Sequence, residues 1–292
     1  MAIMNFGSLL TAMVTPFDQQ NRVDNQRVDH LIEHLISHET DGLVIAGTTG
    51  ESPTLSKDEK VELFNHTVKT VNGRVPVIAG TGSNNTMETI ELTKKAETAG
   101  VDAILLVTPY YNKPSQGGLY QHFQTIAAAT RLPIMLYNIP GRTMVHLSVE
   151  TIVALSKIDN IVSIKESSGN LDAITQIIEQ TDEDFTVYSG DDSLTLPLKS
   201  IGANGVVSVA SHVIGNEMKQ MLNSFDQGNV SEAASIHRKL LPIMRGLFMS
   251  PSPAPVKAAL KFQGIDTGTV RLPLVPLSEI EQQYLKELME YQ

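Results

Sequence analysis

No cysteine occurs anywhere in the 292 residues. Disulfides, Cys-ligated zinc, iron–sulfur clusters and thiol catalysis are therefore excluded. Positive charge is also scarce: 22 Lys and Arg stand against 32 Asp and Glu, a formal net charge of -10. A nucleic-acid surface would need clustered Lys and Arg to displace counterions, so nucleic acid is not an expected partner. No stretch approaches the roughly 18 consecutive apolar residues of a membrane helix. The segment Met1–Gly7 has neither a basic n-region nor an apolar h-region. That predicts no secretory signal and a soluble, cytoplasmic protein.

What is present is globular in composition. Hydrophobic residues make up 41% and charged residues 18%, far from the low-hydrophobicity regime of disorder. The length suggests two domains, or one large barrel with an appendage.

Short apolar runs punctuate the chain at Leu9–Val14, Gly42–Ala46, Val75–Ala79, Asp102–Val107, Pro133–Tyr137, Ile161–Lys165, Phe185–Tyr188 and Gly205–Val209. Each is brief and nearly continuous in apolar character, as expected of a parallel strand covered on both faces. Helical patterns lie between them. Val28, Leu31, Ile32, Leu35 and Ile36 paint one apolar stripe, with Asp24 placed to cap it. Ser56-Lys57-Asp58-Glu59 reads as a capping box. The run starts are spaced about 20 to 33 residues apart, the length of a strand, a helix and two loops. Eight such units predict an α/β fold, a closed (β/α)8 TIM barrel, over residues 1–225.

From about Gln227 the strands stop. Helical patterns run over Val230–Gly246, Pro255–Gln263 and Leu277–Tyr291. Residues 226–292 are expected to form a small C-terminal helical domain. The prolines at 251, 253 and 255 break helix locally and set a corner.

Chemistry in such a barrel collects at the C-terminal ends of the strands. Lys165 is the only lysine inside a predicted strand, and Ile161, Val162 and Ile164 lie just before it. Partial desolvation there favours a nucleophilic amine that can form a Schiff base with a carbonyl. Tyr137 ends the preceding strand and should neighbour Lys165, close enough for its phenol to move protons. Thr48 and Thr49 stand between glycines, a nest with two hydroxyls that suits a small carboxylate.

Other patterns have plainer explanations. His30, His34 and His38 line one face of the first helix, but that helix lies outside the barrel and reads as a solvated face; no metal site is expected. Gly80-Thr81-Gly82 lacks the third glycine of a dinucleotide fingerprint. Asp191-Asp192 reads as an N-cap for the next helix.

Four motifs occur in order: Gly47-Thr48-Thr49-Gly50-Glu51-Ser52, Pro109-Tyr110-Tyr111-Asn112-Lys113-Pro114, Tyr137-Asn138-Ile139-Pro140-Gly141-Arg142-Thr143 and Ile164-Lys165-Glu166. Together, from about Ser8 to Pro276, the chain resembles the dihydrodipicolinate synthase family of the pyruvate-dependent class I aldolases and lyases. The resemblance implies condensation of pyruvate with L-aspartate-4-semialdehyde, a step of diaminopimelate and lysine biosynthesis, without a cofactor. It implies the Schiff base on Lys165 and a proton relay of Tyr137, Thr48 and Tyr111. Tyr111 resembles the residue that members contribute from a neighbouring subunit, which implies a homodimer or a homotetramer. Thr49 would hold the pyruvate carboxylate, Arg142 the carboxylate of the second substrate, and Gly190 and Val207 would line the pyruvate pocket.

N-acetylneuraminate lyase and the sugar-acid aldolases of the same superfamily share the lysine and tyrosine. They generally lack an arginine matching Arg142, so Arg142 and the second threonine favour the dicarboxylate-forming synthase. A pyridoxal-phosphate barrel would need a phosphate cup where this chain has Gly190-Asp191-Asp192. A scaffold that has lost its chemistry is disfavoured because every expected polar residue is present.

Family members inhibited by lysine hold it in a site that by position contains Ser52, Asn84, Glu88 and Tyr110. Strongly inhibited members carry histidine or similar residues at positions 57 and 60, where this chain has Lys57 and Lys60. Added positive charge beside a cationic effector predicts weak or absent feedback. Millimolar lysine in an activity assay should leave the rate nearly unchanged; strong inhibition would contradict the expectation.

Overall fold

The computed structural model describes residues 6–290. The first half of the barrel runs β1 (Leu9–Ala12), α1 (Asn25–Ser37), β2 (Gly42–Ile45), α2 (Lys57–Val71), β3 (Val77–Gly80), α3 (Thr86–Ala99), β4 (Ala103–Val107) and α4 (Gln116–Ala127). The second half runs β5 (Ile134–Asn138), α5 (Pro140–Thr143), α6 (Val149–Leu155), β6 (Ile161–Glu166), α7 (Leu171–Gln180), β7 (Thr186–Ser189), α8 (Thr195–Ser200), β8 (Gly205–Ser208) and α9 (Ser211–Asp226). Then come α10 (Val230–Gly246), α11 (Ala254–Phe262) and α12 (Glu279–Glu290). The expected last helix reached Tyr291, which lies outside the described residues.

All strand pairs are parallel, and β8 returns to β1 to close the barrel. This is the (β/α)8 fold, with helices C-terminal to it. Every strand has a buried neighbour on both faces, which is why the apolar runs are continuous rather than alternating. Leu10, Val44, Ile78, Met135 and Val207 fill the barrel interior. Leu9, Leu43, Ile104, Leu136 and Ile164 face the surrounding helices and share one cluster with them. Each such side chain contributes roughly 1.5–3 kcal/mol on burial.

Local signals act as their chemistry requires. The Asp24 carboxylate accepts the backbone N–H groups of Gln26 and Arg27 at the start of α1. Ser56 and Glu59 form a reciprocal capping box on α2. Two readings need correction. Asp191 does cap the short turn after β7, accepting from Ser193 N at 2.8 Å. Asp192 instead is fully buried and accepts the N–H groups of Val209 and Ala210 just past β8. Nor is the histidine face of α1 wholly solvated, because α1 packs on α9. His34 Nε2 donates to His212 O at 2.8 Å, and the His34 and His38 rings lie 4.2 Å apart. Among the described residues, no three His, Cys, Asp or Glu groups are arranged to hold a metal, and no helix is long and apolar enough to cross a membrane.

His212, on α9, is completely buried and ties that helix to the barrel. Its Nε2 accepts the N–H of Val14 at 3.1 Å, and its Nδ1 donates to Val209 O at 2.8 Å. Burial pushes its pKa from the ordinary 6.5 down to about 4. The unfolded chain therefore binds a proton between these values that the folded chain refuses. Stability from neutral His212 is full above pH 6.5 and is lost as pH falls through about 4. Between pH 7 and pH 5 the protein should lose about 2 kcal/mol more unfolding free energy than a His212→Gln variant in urea titrations. Equal losses would contradict this account of His212.

Candidate active site

After a register shift between Ile134 and Met135, β5 and β6 pair residue for residue, with Tyr137 opposite Lys165 and Asn138 opposite Glu166. Side chains alternate across a strand, and Ile164 already faces the helix layer. Lys165 consequently turns inward, where it is only 5% exposed. Its Nζ lies 4.4 Å from the centroid of the Tyr137 ring, within cation–π range. Neither Lys165 Nζ nor the Tyr137 hydroxyl has a hydrogen-bond partner among the described residues.

The chain just past β7 leaves room for Lys165 only because residue 190 is glycine. A Cβ there would lie 1.8 Å from Ser167 Oγ and 2.8 Å from Lys165 Cε. Ser167 Oγ is itself buried without a hydrogen-bond partner. Ser167 is a residue at the site to which the sequence pattern assigns no role. Its proximity to Gly190 arises from strand pairing and leaves no local pattern.

Beyond Tyr137 the barrel mouth opens into a cavity of about 280 Å³. Thr48, Ser52, Tyr110, Tyr137 and Arg142 line it together with Lys60. Thr49 is buried beside Thr48 in the β2 loop. Gly50 and Ser52 follow, with Glu51 N donating to Thr48 O at 3.1 Å and Ser52 N to Gly47 O at 3.2 Å to close the turn. Arg142 sits on α5, exposed at the cavity wall. The loop carrying it is held from below: Asn138 Nδ2 donates to Glu166 Oε2 at 2.8 Å, and Asn138 Oδ1 accepts from Leu147 N. Val207 is buried in the barrel interior, paired in register with Leu10 of β1.

Tyr111 is not brought to the cavity of its own chain. It has a left-handed backbone (φ +74°) and its side chain is 88% exposed. Of the four expected effector residues, Ser52 and Tyr110 line the cavity. Asn84 Nδ2 donates to Tyr110 O at 3.2 Å, while Glu88 is exposed on the first turn of α3. Lys57 and Lys60 part company. Lys57 pairs with Glu91 at 2.6 Å on the outer surface, and that bond raises its pKa. Lys60 faces the cavity, where burial pulls its pKa down against the opposing pull of Glu88.

An inward amine, a phenol at its side, a hydroxyl pair on a tight turn and a guanidinium at the rim can together bind and activate a small keto acid. A family model described as the dihydrodipicolinate synthetase family matches residues 5–292. The 4-hydroxy-tetrahydrodipicolinate synthase of Bacillus subtilis (strain 168) is 63% identical over 280 residues, covering 96% of this chain and 97% of that protein. The crystal structure of dihydrodipicolinate synthase DapA-2 from Bacillus anthracis superposes with a TM-score of 0.97 at 55% identity, covering 98% of each chain. The enzyme from Cyanidioschyzon merolae, solved with lysine bound, gives 0.96 at 47% identity, also over 98% of each chain. Likeness this extensive, in sequence and in backbone alike, means that the chain belongs to the dihydrodipicolinate synthetase family.

Proposed function

We propose that the chain condenses pyruvate with L-aspartate-4-semialdehyde to give 4-hydroxy-tetrahydrodipicolinate, a step of diaminopimelate and lysine biosynthesis. The observation that carries this reading is the buried Lys165 amine held against the Tyr137 ring at the mouth of the barrel. Lys165 Nζ attacks the keto carbon of pyruvate, and the carbonyl oxygen leaves as water. The resulting imine withdraws electrons, so the methyl group loses a proton and becomes an enamine. The enamine carbon attacks the aldehyde carbon of the second substrate, whose oxygen takes up a proton and becomes the product hydroxyl. The amino group of the adduct then attacks the imine carbon, closing the ring and releasing Lys165.

Each of these steps moves a proton. Tyr137 is placed beside the amine for that work, with Thr48 at the cavity wall. Thr49 and the Thr48 backbone hold the pyruvate carboxylate, while Gly190 and Val207 bound the pyruvate pocket. Arg142 at the rim receives the second carboxylate, for which a planar fork of donors is suited. It also favours this substrate over the sugar-derived aldehydes used by N-acetylneuraminate lyase. Tyr111 reaches outward, so the relay is completed by the Tyr111 of a second copy, in a homodimer or homotetramer. The catalytic unit is residues 1–225 and the helical addition residues 226–292, in a cytoplasmic enzyme that needs no cofactor.

Purified protein should turn over pyruvate with L-aspartate-4-semialdehyde far faster than it cleaves N-acetylneuraminate. Gly190→Ala, whose Cβ would drive into Ser167 and Lys165, should lower kcat/KM at least about 100-fold, because displacing a reacting atom by an ångström is that costly. Preferential cleavage of N-acetylneuraminate, or a fully active Gly190→Ala variant, would contradict the proposal.

A further inference from the structure

Glu51 stands immediately after the Thr48-Thr49-Gly50 turn and has a left-handed backbone (φ +57°). That conformation is unfavourable for a side chain larger than glycine's unless its surroundings enforce it. The surroundings here come from the C-terminal end of the chain. The Glu51 carboxylate is fully buried, and its Oε1 lies 2.8 Å from Nζ of Lys257 on α11. The contact is an ion pair rather than a well-aligned hydrogen bond, since Oε1 has no hydrogen-bond partner of good geometry. Oε2 accepts the backbone N–H of Arg271 at 2.8 Å.

Lys257 also grips the turn by a second route. Its Nζ donates to Thr15 O at 2.8 Å, and Thr15 Oγ1 donates to Gly50 O at 2.6 Å. Glu51 N in turn donates to Thr48 O. The Lys257 ammonium lies 4.3 Å and the Arg271 guanidinium 4.2 Å from the centroid of the Phe17 ring. The Arg271 guanidinium continues to Thr54 O and to Glu59 on the other side of the loop. Burial pulls the Lys257 pKa down to about 8, with Glu51 pulling it the other way. The amine is thus still charged near neutral pH. A buried charge on either partner alone would be strongly unfavourable, so each holds the other in place.

We propose that Lys257 and Glu51 are positioning residues for the pyruvate carboxylate: the tail, through this ion pair, sets the backbone of the Thr48-Thr49 turn. The inference rests on the reading of that turn as the pyruvate carboxylate site. It assigns the C-terminal helices a part in substrate binding that neither residue can perform by contact with substrate. Because the pair acts on the carboxylate end of pyruvate and not on the amine, its loss should appear in pyruvate binding.

The test is steady-state kinetics on Glu51→Gln, Lys257→Met and the double variant, each checked by circular dichroism. The double variant leaves no unpaired buried charge and so carries the test if a single variant unfolds. The pyruvate KM should rise about tenfold or more, with kcat and the KM for aspartate-4-semialdehyde changed much less. Folded variants with an unmoved pyruvate KM would overturn the proposal. So would a double variant that cannot fold, since the pair would then be a structural lock and nothing more. If the unmodified protein does not turn over pyruvate at all, the functional reading fails first and this inference falls with it.

Discussion

Lys165 reaches the barrel mouth from within the sheet, and its nitrogen rests against the face of the Tyr137 ring. That contact depends on closure of the barrel. Only an in-register parallel pair sets residue 137 beside residue 165, and only side-chain alternation turns Lys165 inward while Ile164 packs against the helices. The contact also depends on an absence, the missing side chain of Gly190 just past the next strand. A long cationic side chain normally escapes to water. Here the strands on either side deny it that route.

The loops around the amine are braced rather than loose. Asn138 and Glu166, neighbours across β5 and β6, bond to each other beneath the loop that bears Arg142. The Thr48-Thr49 turn is closed by its own backbone bonds and clamped through Gly50 and Glu51. Sites on supported loops hold reacting groups to the fraction of an ångström that orientation effects require. Asp192 does similar work just past β8, where it accepts two backbone N–H groups from a fully buried position. Burial raises its pKa above the ordinary carboxylate range, opposed by those hydrogen bonds.

Much of this was legible in the amino-acid order because it rests on local or periodic signals. Continuous apolar runs reveal strands buried on both faces, and Asp24 and Ser56–Glu59 mark helix starts by bonds that span three residues. The adjacency of Tyr137 and Lys165 follows once two consecutive parallel strands are recognised. The expected bounds of α10 match the helix over Val230–Gly246, although Pro242 lies inside it. What stayed hidden is tertiary. Nothing near Glu51 announces Lys257, since the two meet only when the tail folds back on the barrel. The partial burial of His34 requires α9 beside α1. Lys57 and Lys60 look equivalent in sequence, yet the turn of α2 sends one to Glu91 and the other to the cavity.

The central claim is that Lys165 forms a covalent imine with a keto acid. Reduction with borohydride in the presence of pyruvate, followed by peptide mapping in a mass spectrometer, tests it directly. The account predicts a single added lactyl-sized group on the peptide that carries Lys165, and none without pyruvate. An unlabelled Lys165, or a label on another lysine, would contradict it.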